Sequence, residues 1–293
     1  MHVNQEPGTK IMETNKLISI NINYFNPKQH PRIEATLILA MESVSSYTRS
    51  SFEMIIADAS TNESAKIKDL CLKNNWIYLH MPGVSFQEGN NKAFSKVTGE
   101  YLVLMASDVF VCEGWDTVLL SELKRTGAWM VAPYLTASDY PSQRQLWVFK
   151  MKTFIPSAMT LNIIMMKTEH FRRIGMLDQR LGHFNDIDLL FRVRESGGEG
   201  IITYCGQVSH ISGATCSVST NFKYYKDKDI FLEKHPCLKT KVVGIDYNHY
   251  DKRFMRSRIL RIYCLACHWI PFAKMRSFML LLGARIEPLL NKI

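Results

Sequence analysis

The chain has 293 residues, of which 46% are hydrophobic and 22% charged, enough apolar sequence for one large globular domain or two small ones. This composition excludes a disordered protein and a small domain held together by disulfides. The formal net charge of +9, taken alone, suggests a polyanionic partner such as nucleic acid.

Most of that charge lies at the C-terminus. Residues 252–293 contain nine lysines and arginines and one acidic residue, a net charge of +8, so residues 1–251 carry only +1. A nucleic-acid groove needs basic residues spread over the folded domain, and this body is nearly neutral. We therefore expect no nucleic-acid partner.

The sequence carries no recognisable targeting or membrane-spanning signal. Residues 1–16 lack the apolar core of a signal peptide, and no stretch reaches the roughly 20 apolar residues that cross a bilayer. The seven cysteines have no regular spacing and are typical of reduced thiols. We therefore expect a cytoplasmic protein.

The first half alternates strands and helices after a loose N-terminal tail over residues 1–15. From the apolar periodicity we predict strands at 16–24, 53–57, 76–80 and 101–105, and helices at 32–47, 63–74 and 91–97. Continuous apolar strands that alternate with helices predict a parallel α/β sheet. Ligands of such sheets bind beyond the carboxyl ends of the strands, so polar residues at those ends are candidate site residues.

The second half is less regular. We predict strands at 129–133, 161–167, 200–204 and 207–210, helices at 169–174 and 184–196, and long loops over 137–157. These loops carry no motif, and we expect them to contribute to acceptor choice.

The basic C-terminal segment has a helical pattern. Met255, Ile259, Ile262, Ala266 and Trp269 recur at helical spacing, and basic residues lie largely on the other face. A basic amphipathic helix suits the surface of an anionic membrane, so we expect peripheral association with the inner face of the cell membrane through residues 252–293. The alternative is a helical cap that packs on the folded body.

Three acidic clusters follow predicted strands or open a predicted helix. Asp58 ends a buried strand, where it can bind a nucleobase or ribose or, alternatively, cap the next helix. Asp108 follows an apolar strand, where it can bind a divalent cation or simply form a turn. Asp186 and Asp188 open a helix, where one can act as a general base, although acids there also complement the helix dipole.

Six short motifs then occur in a recognisable order. They are ININYFN (20–26), EMIIADAST (53–61), NNKAFSKVTGEYLVLMASDV (90–109), FRRIGMLD (171–178), NDIDLLFR (185–192) and VSHISG (208–213). Together, across roughly residues 17–215, they resemble the family-2 glycosyltransferases, which are inverting enzymes of the GT-A fold that use nucleotide sugars. The single aspartate of Ala106-Ser107-Asp108 is similar to the rhamnosyltransferase-like subset.

The resemblance implies a role for each matching residue. Asp186 is implied as the catalytic base, and Asp108 and His210 as residues that hold Mg²⁺ or Mn²⁺, although His210 is alternatively a core histidine. The residues implied to bind the nucleotide sugar are Tyr24, Asn26, Asp58, Ser60, Asn91, Ser107, Asp188 and Arg192. The chain departs from the family pattern where Ala106 replaces the first acid of the DxD metal motif and where Asn185 replaces a glutamate before the base.

The resemblance also implies a domain organisation and a function. We expect an α/β domain of the GT-A fold over residues 16–222, a Rossmann-like mixed sheet flanked by helices, with a nucleotide-binding half (16–112) and an acceptor half (113–222). A helical, basic extension (223–293) follows. The implied function is transfer of a hexosyl or deoxyhexosyl group to a glycan or lipid-linked acceptor in the synthesis of cell-surface polysaccharide such as O-antigen or capsule. Two alternatives stay open: a degenerate, non-catalytic binding protein of the same fold, and a basic nucleic-acid-binding protein.

Overall fold

The computed structural model describes residues 16–135, 153–154, 159–182, 184–211 and 226–235. The strands in these ranges are β1 (Ile18–Tyr24), β2 (Phe52–Asp58), β3 (Ile77–His80), β4 (Tyr101–Ala106), β5 (Val109–Val111), β6 (Met130–Leu135), β7 (Thr153–Phe154), β8 (Ile163–Lys167) and β9 (Gly200–His210). The helices are α1 (Pro31–Tyr47), α2 (Ala65–Lys73), α3 (Phe86–Phe94), α4 (Trp115–Thr126), α5 (Thr168–Arg173), α6 (Asn185–Glu195) and α7 (Lys226–Lys234).

The strands form one mixed sheet in the order β3-β2-β1-β4-β8-β6-β9-β5, and β7 pairs with β9. Strands β1 to β4 are parallel, as the alternation predicts. The second half makes the sheet mixed, as the implied GT-A fold predicts: β8 runs antiparallel to β4 and β6, and β9 runs antiparallel to β5. The cause is that β8 begins at Ile163 opposite Met105, so the chain re-enters the sheet at the edge where β4 leaves it.

Apolar side chains cover both faces of this sheet. On one face the isoleucines of β1 pack with Leu37 and Met41 of α1 and with Trp115 of α4, all fully buried. On the other face Leu102 and Leu104 of β4 pack with buried side chains of β8, α5 and α6. Burial of each such large side chain stabilises the fold by about 1.5–3 kcal/mol. The central strands are therefore a rigid support for the residues at their ends.

Two helices differ from the sequence prediction. Helix α3 begins at Phe86, five residues before the predicted start, because the Ser85 hydroxyl accepts a hydrogen bond from the Glu88 backbone N–H at 3.1 Å and caps the helix. Helix α4 was not predicted, although glycines mark both of its ends: Gly114 and Gly127 adopt left-handed backbone angles, with φ of +70° and +67°. The two strands predicted at 200–204 and 207–210 form the single strand β9.

Helix α7 belongs to the range predicted as the C-terminal extension, yet it packs on the body. Its Phe231 is fully buried, and the ring stacks on Phe184 at 5.3 Å and contacts Phe191 at 6.2 Å. The predicted tail 1–15, most of the loop at 137–157 and the basic segment 252–293 lie outside the described residues. None of the helices within the described ranges combines the length and the hydropathy that a membrane crossing requires.

Candidate active site

The candidate site is at the carboxyl edge of the parallel strands. In the register of the sheet, Tyr24 at the end of β1 lies beside Asp58 of β2, and Asp58 lies beside His80 of β3. On the other side of β1, Asn23 lies beside Ala106 of β4. Four neighbouring strands therefore end in polar or small residues at one edge, which is where ligands of open α/β sheets bind.

Asp58 is fully buried and its carboxylate is held on both oxygens. Its Oδ1 accepts a hydrogen bond from the Ser60 backbone N–H at 2.8 Å, and its Oδ2 accepts one from the Tyr78 hydroxyl at 2.5 Å. The alternative role as a helix cap is wrong, because the Ser64 hydroxyl caps α2. A contact between Asp58 and a nucleobase stays a prediction; in the structure its carboxylate holds the Ser60 backbone and the Tyr78 hydroxyl.

Tyr24, Asn26 and Ser60 extend the same network. The Asn26 backbone N–H donates to the Ser60 hydroxyl at 2.8 Å, and the Asn26 amide donates to the Tyr24 hydroxyl at 2.9 Å. Burial raises the pKa of Tyr24 to about 12, so its phenol is neutral near pH 7. The structure thus brings together four of the residues predicted to bind the nucleotide sugar.

Two further residues of this network were not predicted. Tyr78 bonds to Asp58, and the His80 imidazole lies 3.0 Å from the Ser60 carbonyl oxygen. His80 is the last residue of β3, so its position at a strand end could have identified it in the same way as Asp58. Tyr78 had no such signal, because it lies two residues inside the strand.

Asp108 and His210 meet in space, as the resemblance implies. Asp108 lies in the turn between β4 and β5, and β5 pairs with β9 so that Val109 lies opposite His210. The Ile211 N–H donates to the Asp108 carbonyl oxygen at 3.0 Å, and His210 Nε2 is 3.3 Å from Asp108 Oδ1. Both side chains and the neighbouring Ser107 are more than nine-tenths buried.

This pair has the chemistry of a partial cation site. A carboxylate oxygen and an imidazole nitrogen are ligands that Mn²⁺ and, for the oxygen, Mg²⁺ accept. Among the described residues no cluster of three or more histidine, cysteine, aspartate or glutamate side chains could hold a metal ion. The residues fit a divalent cation whose remaining ligands come from phosphate oxygens and water, as is usual for Mg²⁺ bound with a phosphorylated substrate.

Asp186 lies in the first turn of α6, a position where acidic side chains complement the helix dipole. The residue is 9% exposed, and its Oδ1 accepts a hydrogen bond from the Ile187 backbone N–H at 2.7 Å. The Gly182 carbonyl oxygen accepts from the amides of both Asn185, at 2.9 Å, and Gln87, at 3.1 Å. Gln87 is in the first turn of α3, which begins at the carboxyl edge of the sheet, so Asp186 is held at the same edge as Asp58 and Asp108.

Asp188 and Arg192 pair with each other inside the protein. Arg192 Nε donates to Asp188 Oδ2 at 2.8 Å, and Asp188 Oδ1 is 2.9 Å from both Lys234 Nζ and His235 Nε2. Asp188 is fully buried, and the cluster ties α7 to α6. These contacts give the pair a role in packing; a contact of either residue with the donor stays a prediction.

His235 lies between two carboxylates. Its Nδ1 is 3.3 Å from Glu195 Oε1 while its Nε2 faces Asp188, so both ring nitrogens can donate only if the ring is protonated. Burial by itself lowers the pKa of His235, but the hydrogen bonds to Asp188 and Glu195 outweigh it and raise that pKa. Burial likewise raises the pKa of Asp188, but His235, Arg192 and Lys234 outweigh it and lower that pKa.

Asn91 also has a structural contact. Its amide donates to the Leu177 carbonyl oxygen at 2.8 Å, and its Oδ1 accepts from the Leu177 N–H at 3.1 Å. These two bonds join α3 to the segment between α5 and α6. Its predicted role in binding the nucleotide sugar stays a prediction.

Comparisons with known proteins bear on the family and the fold of the chain. The family model described as "Glycosyl transferase family 2" matches residues 22–176. A search of curated protein sequences gives no match.

Two solved structures share the fold. GalNAc-T7 with UDP, GalNAc and Mn²⁺ superposes with a TM-score of 0.56 at 15% identity, covering 81% of this chain and 54% of that chain. Residues 1–349 of S. aureus TarS in complex with UDP-GlcNAc superpose with a TM-score of 0.56 at 12% identity, covering 94% of this chain and 89% of that chain. This chain spans about half the length of the GalNAc-T7 chain. The predicted fold class, an α/β domain of the GT-A type, is confirmed.

Proposed function

Because this chain belongs to glycosyl transferase family 2, we propose that it is an inverting glycosyltransferase that moves a hexosyl or deoxyhexosyl group from a nucleotide sugar to an acceptor hydroxyl. The main support for the proposal is that three groups lie at the carboxyl edge of the parallel strands. These groups are the Asp58 network, the Asp108–His210 pair and Asp186.

The proposed nucleotide pocket is the network around Asp58. Asp58 fixes the Tyr78 hydroxyl and the Ser60 backbone, while Asn26 fixes the neutral Tyr24 hydroxyl. A pocket whose polar groups are already oriented loses little freedom when a nucleoside binds. Asp58, the side chain at the centre of this support, is therefore proposed to act mainly by holding its neighbours in place.

Asp108 and His210 would hold a divalent cation, Mg²⁺ or Mn²⁺, together with the donor diphosphate. When bound, the cation supplies positive charge that stabilises the departing nucleoside diphosphate. Because residue 106 is alanine, Asp108 is the one carboxylate in the segment 106–108. The affinity for a free cation should therefore be low, and it should rise when the donor diphosphate supplies further oxygen ligands.

Asp186 is proposed as the general base. The acceptor oxygen attacks the anomeric carbon while its proton passes to the Asp186 carboxylate, and the bond from that carbon to the diphosphate oxygen breaks. The nucleoside diphosphate leaves with its charge stabilised. Attack opposite the leaving group inverts the anomeric centre, and the two hydrogen bonds to the Gly182 carbonyl oxygen hold the first turn of α6 for this step.

The acceptor is proposed to be a glycan or lipid-linked glycan of cell-surface polysaccharide synthesis, such as O-antigen or capsule. Support comes from the net charge of +8 in residues 252–293, since each basic residue near an anionic bilayer contributes about 1 kcal/mol. A protein bound at the inner face of the membrane would meet lipid-linked acceptors there. Cosedimentation with phosphatidylglycerol vesicles tests this, with the chain truncated after residue 251 as the control that should stay in the supernatant.

A second candidate is a binding protein of the same fold that has lost activity. Ala106 and Asn185 favour it, because they replace two acids of the family pattern. Both candidates predict nucleotide binding, and only the enzyme releases nucleoside diphosphate.

The deciding experiment is a panel of nucleotide sugars with UDP, GDP, dTDP and CMP as carriers. Calorimetry with Mn²⁺ identifies the donor, and detection of free nucleotide with that donor identifies turnover. Binding with turnover supports the enzyme, binding without turnover supports the second candidate, and no binding of any nucleotide contradicts both.

A further inference from the structure

Two asparagine side chains at the candidate site have buried amide nitrogens that lack a hydrogen-bond partner among the described residues. These atoms are Nδ2 of Asn23 and Nδ2 of Asn162. Leaving a buried amide donor unpaired is unfavourable, and most buried polar groups in folded proteins are paired. Their position at a ligand-binding edge therefore points to a partner that arrives with the substrate.

The register of the sheet puts these two asparagines on either side of Ala106. Asn23 is the in-register neighbour of Ala106 between the parallel strands β1 and β4. On the other side the Ala106 N–H donates to the Asn162 carbonyl oxygen at 2.8 Å, one residue before the pairing of Ile163 with Met105. Residues directly opposite each other in a sheet direct their side chains to the same face. Asn23, Ala106 and Asn162 therefore share one face.

That face is the one covered by α3. A Cβ atom built on Gly89 of α3 would lie 3.0 Å from Asn23 Oδ1, so helix and strand approach closely there. Asn23 is 9% exposed, whereas Ala106 and Asn162 are partly exposed at the strand end. Ala106 separates the two asparagines at the end of β4, two residues before Asp108.

We propose that Asn23 and Asn162 form a pair of hydrogen-bond donors for the hydroxyl oxygens of the transferred sugar, an inference that rests on the proposed function. Amides are neutral donors and suit neutral hydroxyls, whereas the diphosphate charge falls to the cation held by Asp108 and His210. The pair positions the sugar and contributes to the choice among sugars, because a sugar that lacks the matching hydroxyl leaves both amides unpaired.

The test compares Asn23→Ala and Asn162→Ala with Asn90→Ala in the full chain. Asn90 is a buried asparagine with partners on both amide atoms, since it accepts from Asn21 at 2.8 Å and donates to the Phe86 carbonyl oxygen at 2.9 Å. Asn90→Ala is expected to lower Tm. Asn162→Ala and Asn23→Ala are expected to leave Tm unchanged or raised, because they remove an unpaired buried donor.

Calorimetry of ligand binding supplies the second readout. UDP-N-acetylglucosamine is the first ligand, and the donor identified in the panel is the second. The matching nucleoside diphosphate, which lacks the sugar, is the reference. Each substitution should weaken binding of the nucleotide sugar about five- to tenfold and leave that of the nucleoside diphosphate unchanged. Equal weakening of both, or a lower Tm with unchanged binding, overturns the proposal. If the wild-type chain binds no nucleotide, both the proposed function and this inference are overturned. If Asn23→Ala and Asn162→Ala both bind the donor as the wild-type chain does, this inference alone is overturned.

Discussion

Substitution of Asp188 by asparagine separates the two roles considered for this residue. The structure buries its carboxylate completely against Arg192, Lys234 and His235, whereas the family resemblance implies a contact with the donor. Asp188→Asn keeps the size of the side chain and removes its negative charge. The remaining cations of the cluster then face one another without a fully buried counter-ion.

The expected loss is large. Removing one partner from a buried ion pair costs about 3–5 kcal/mol, because the opposite charge stays buried without compensation. The side chain of Arg192 is 12% exposed and that of His235 1% exposed, so water cannot screen them well, whereas Lys234 is 24% exposed and loses less. For a domain of about 200 residues, each kcal/mol lowers Tm by about 2–4 °C, so Tm should fall by roughly 6–20 °C.

Thermal unfolding of the purified chain measures this effect. Arg49→Gln is the matched control, because it breaks the Arg49–Glu113 pair, whose side chains are 60% and 71% exposed, and should leave Tm unchanged. Calorimetry with the donor gives the second reading. If Asp188→Asn keeps the wild-type Tm but binds the donor weakly, the packing role of Asp188 is refuted and the donor contact is supported.

Further outcomes follow from the same contacts. The pKa of His235 is raised above its ordinary 6.5, and that of Asp188 is lowered below its ordinary 3.8. The stabilisation from this pair is therefore complete between pH 3.8 and pH 6.5. It falls as pH rises through the folded-state pKa of His235, and it falls in acid as pH drops through the folded-state pKa of Asp188. The urea concentration at the midpoint of unfolding should decline from pH 5 to pH 9 in the wild-type chain and decline less in His235→Gln. A wild-type midpoint that does not change with pH would contradict this. Tyr78→Phe leaves Asp58 Oδ2 without its donor and should reduce the free energy of unfolding by about 1–3 kcal/mol in urea titrations, a loss that intact stability would rule out. Asp108→Ala should remove the enhancement of UDP binding by Mn²⁺ and leave metal-free binding unchanged; persistent enhancement would locate the cation elsewhere.

The strand-end acids were the most predictable part of the site. Asp58 and Asp108 each follow a run of apolar residues, and parallel strands bring their carboxyl ends to one edge whatever the details of the loops. Asp186 could be selected as the base only through the family resemblance, because the helix dipole also favours acidic residues in a first helical turn.

The long-range partners were beyond the reach of the sequence. His235 lies 47 positions after Asp188, and no local pattern links a histidine near the end of one helix to the first turn of another. Tyr78 reaches Asp58 only through the register of β3 against β2. The same limit applied to Asn162, which lies beside Ala106 because the chain reverses direction before β8, a reversal that strand–helix alternation did not predict.

The central claim is that Asp186 is the base of a glycosyl transfer from a nucleotide sugar. The most direct test measures release of nucleoside diphosphate from the identified donor, with acceptor, by the wild-type chain and by Asp186→Asn. Transfer should fall at least about a hundredfold, because a general base contributes about 10²–10⁴ to the rate, while donor affinity stays within about twofold. A variant that turns over at the wild-type rate contradicts the claim.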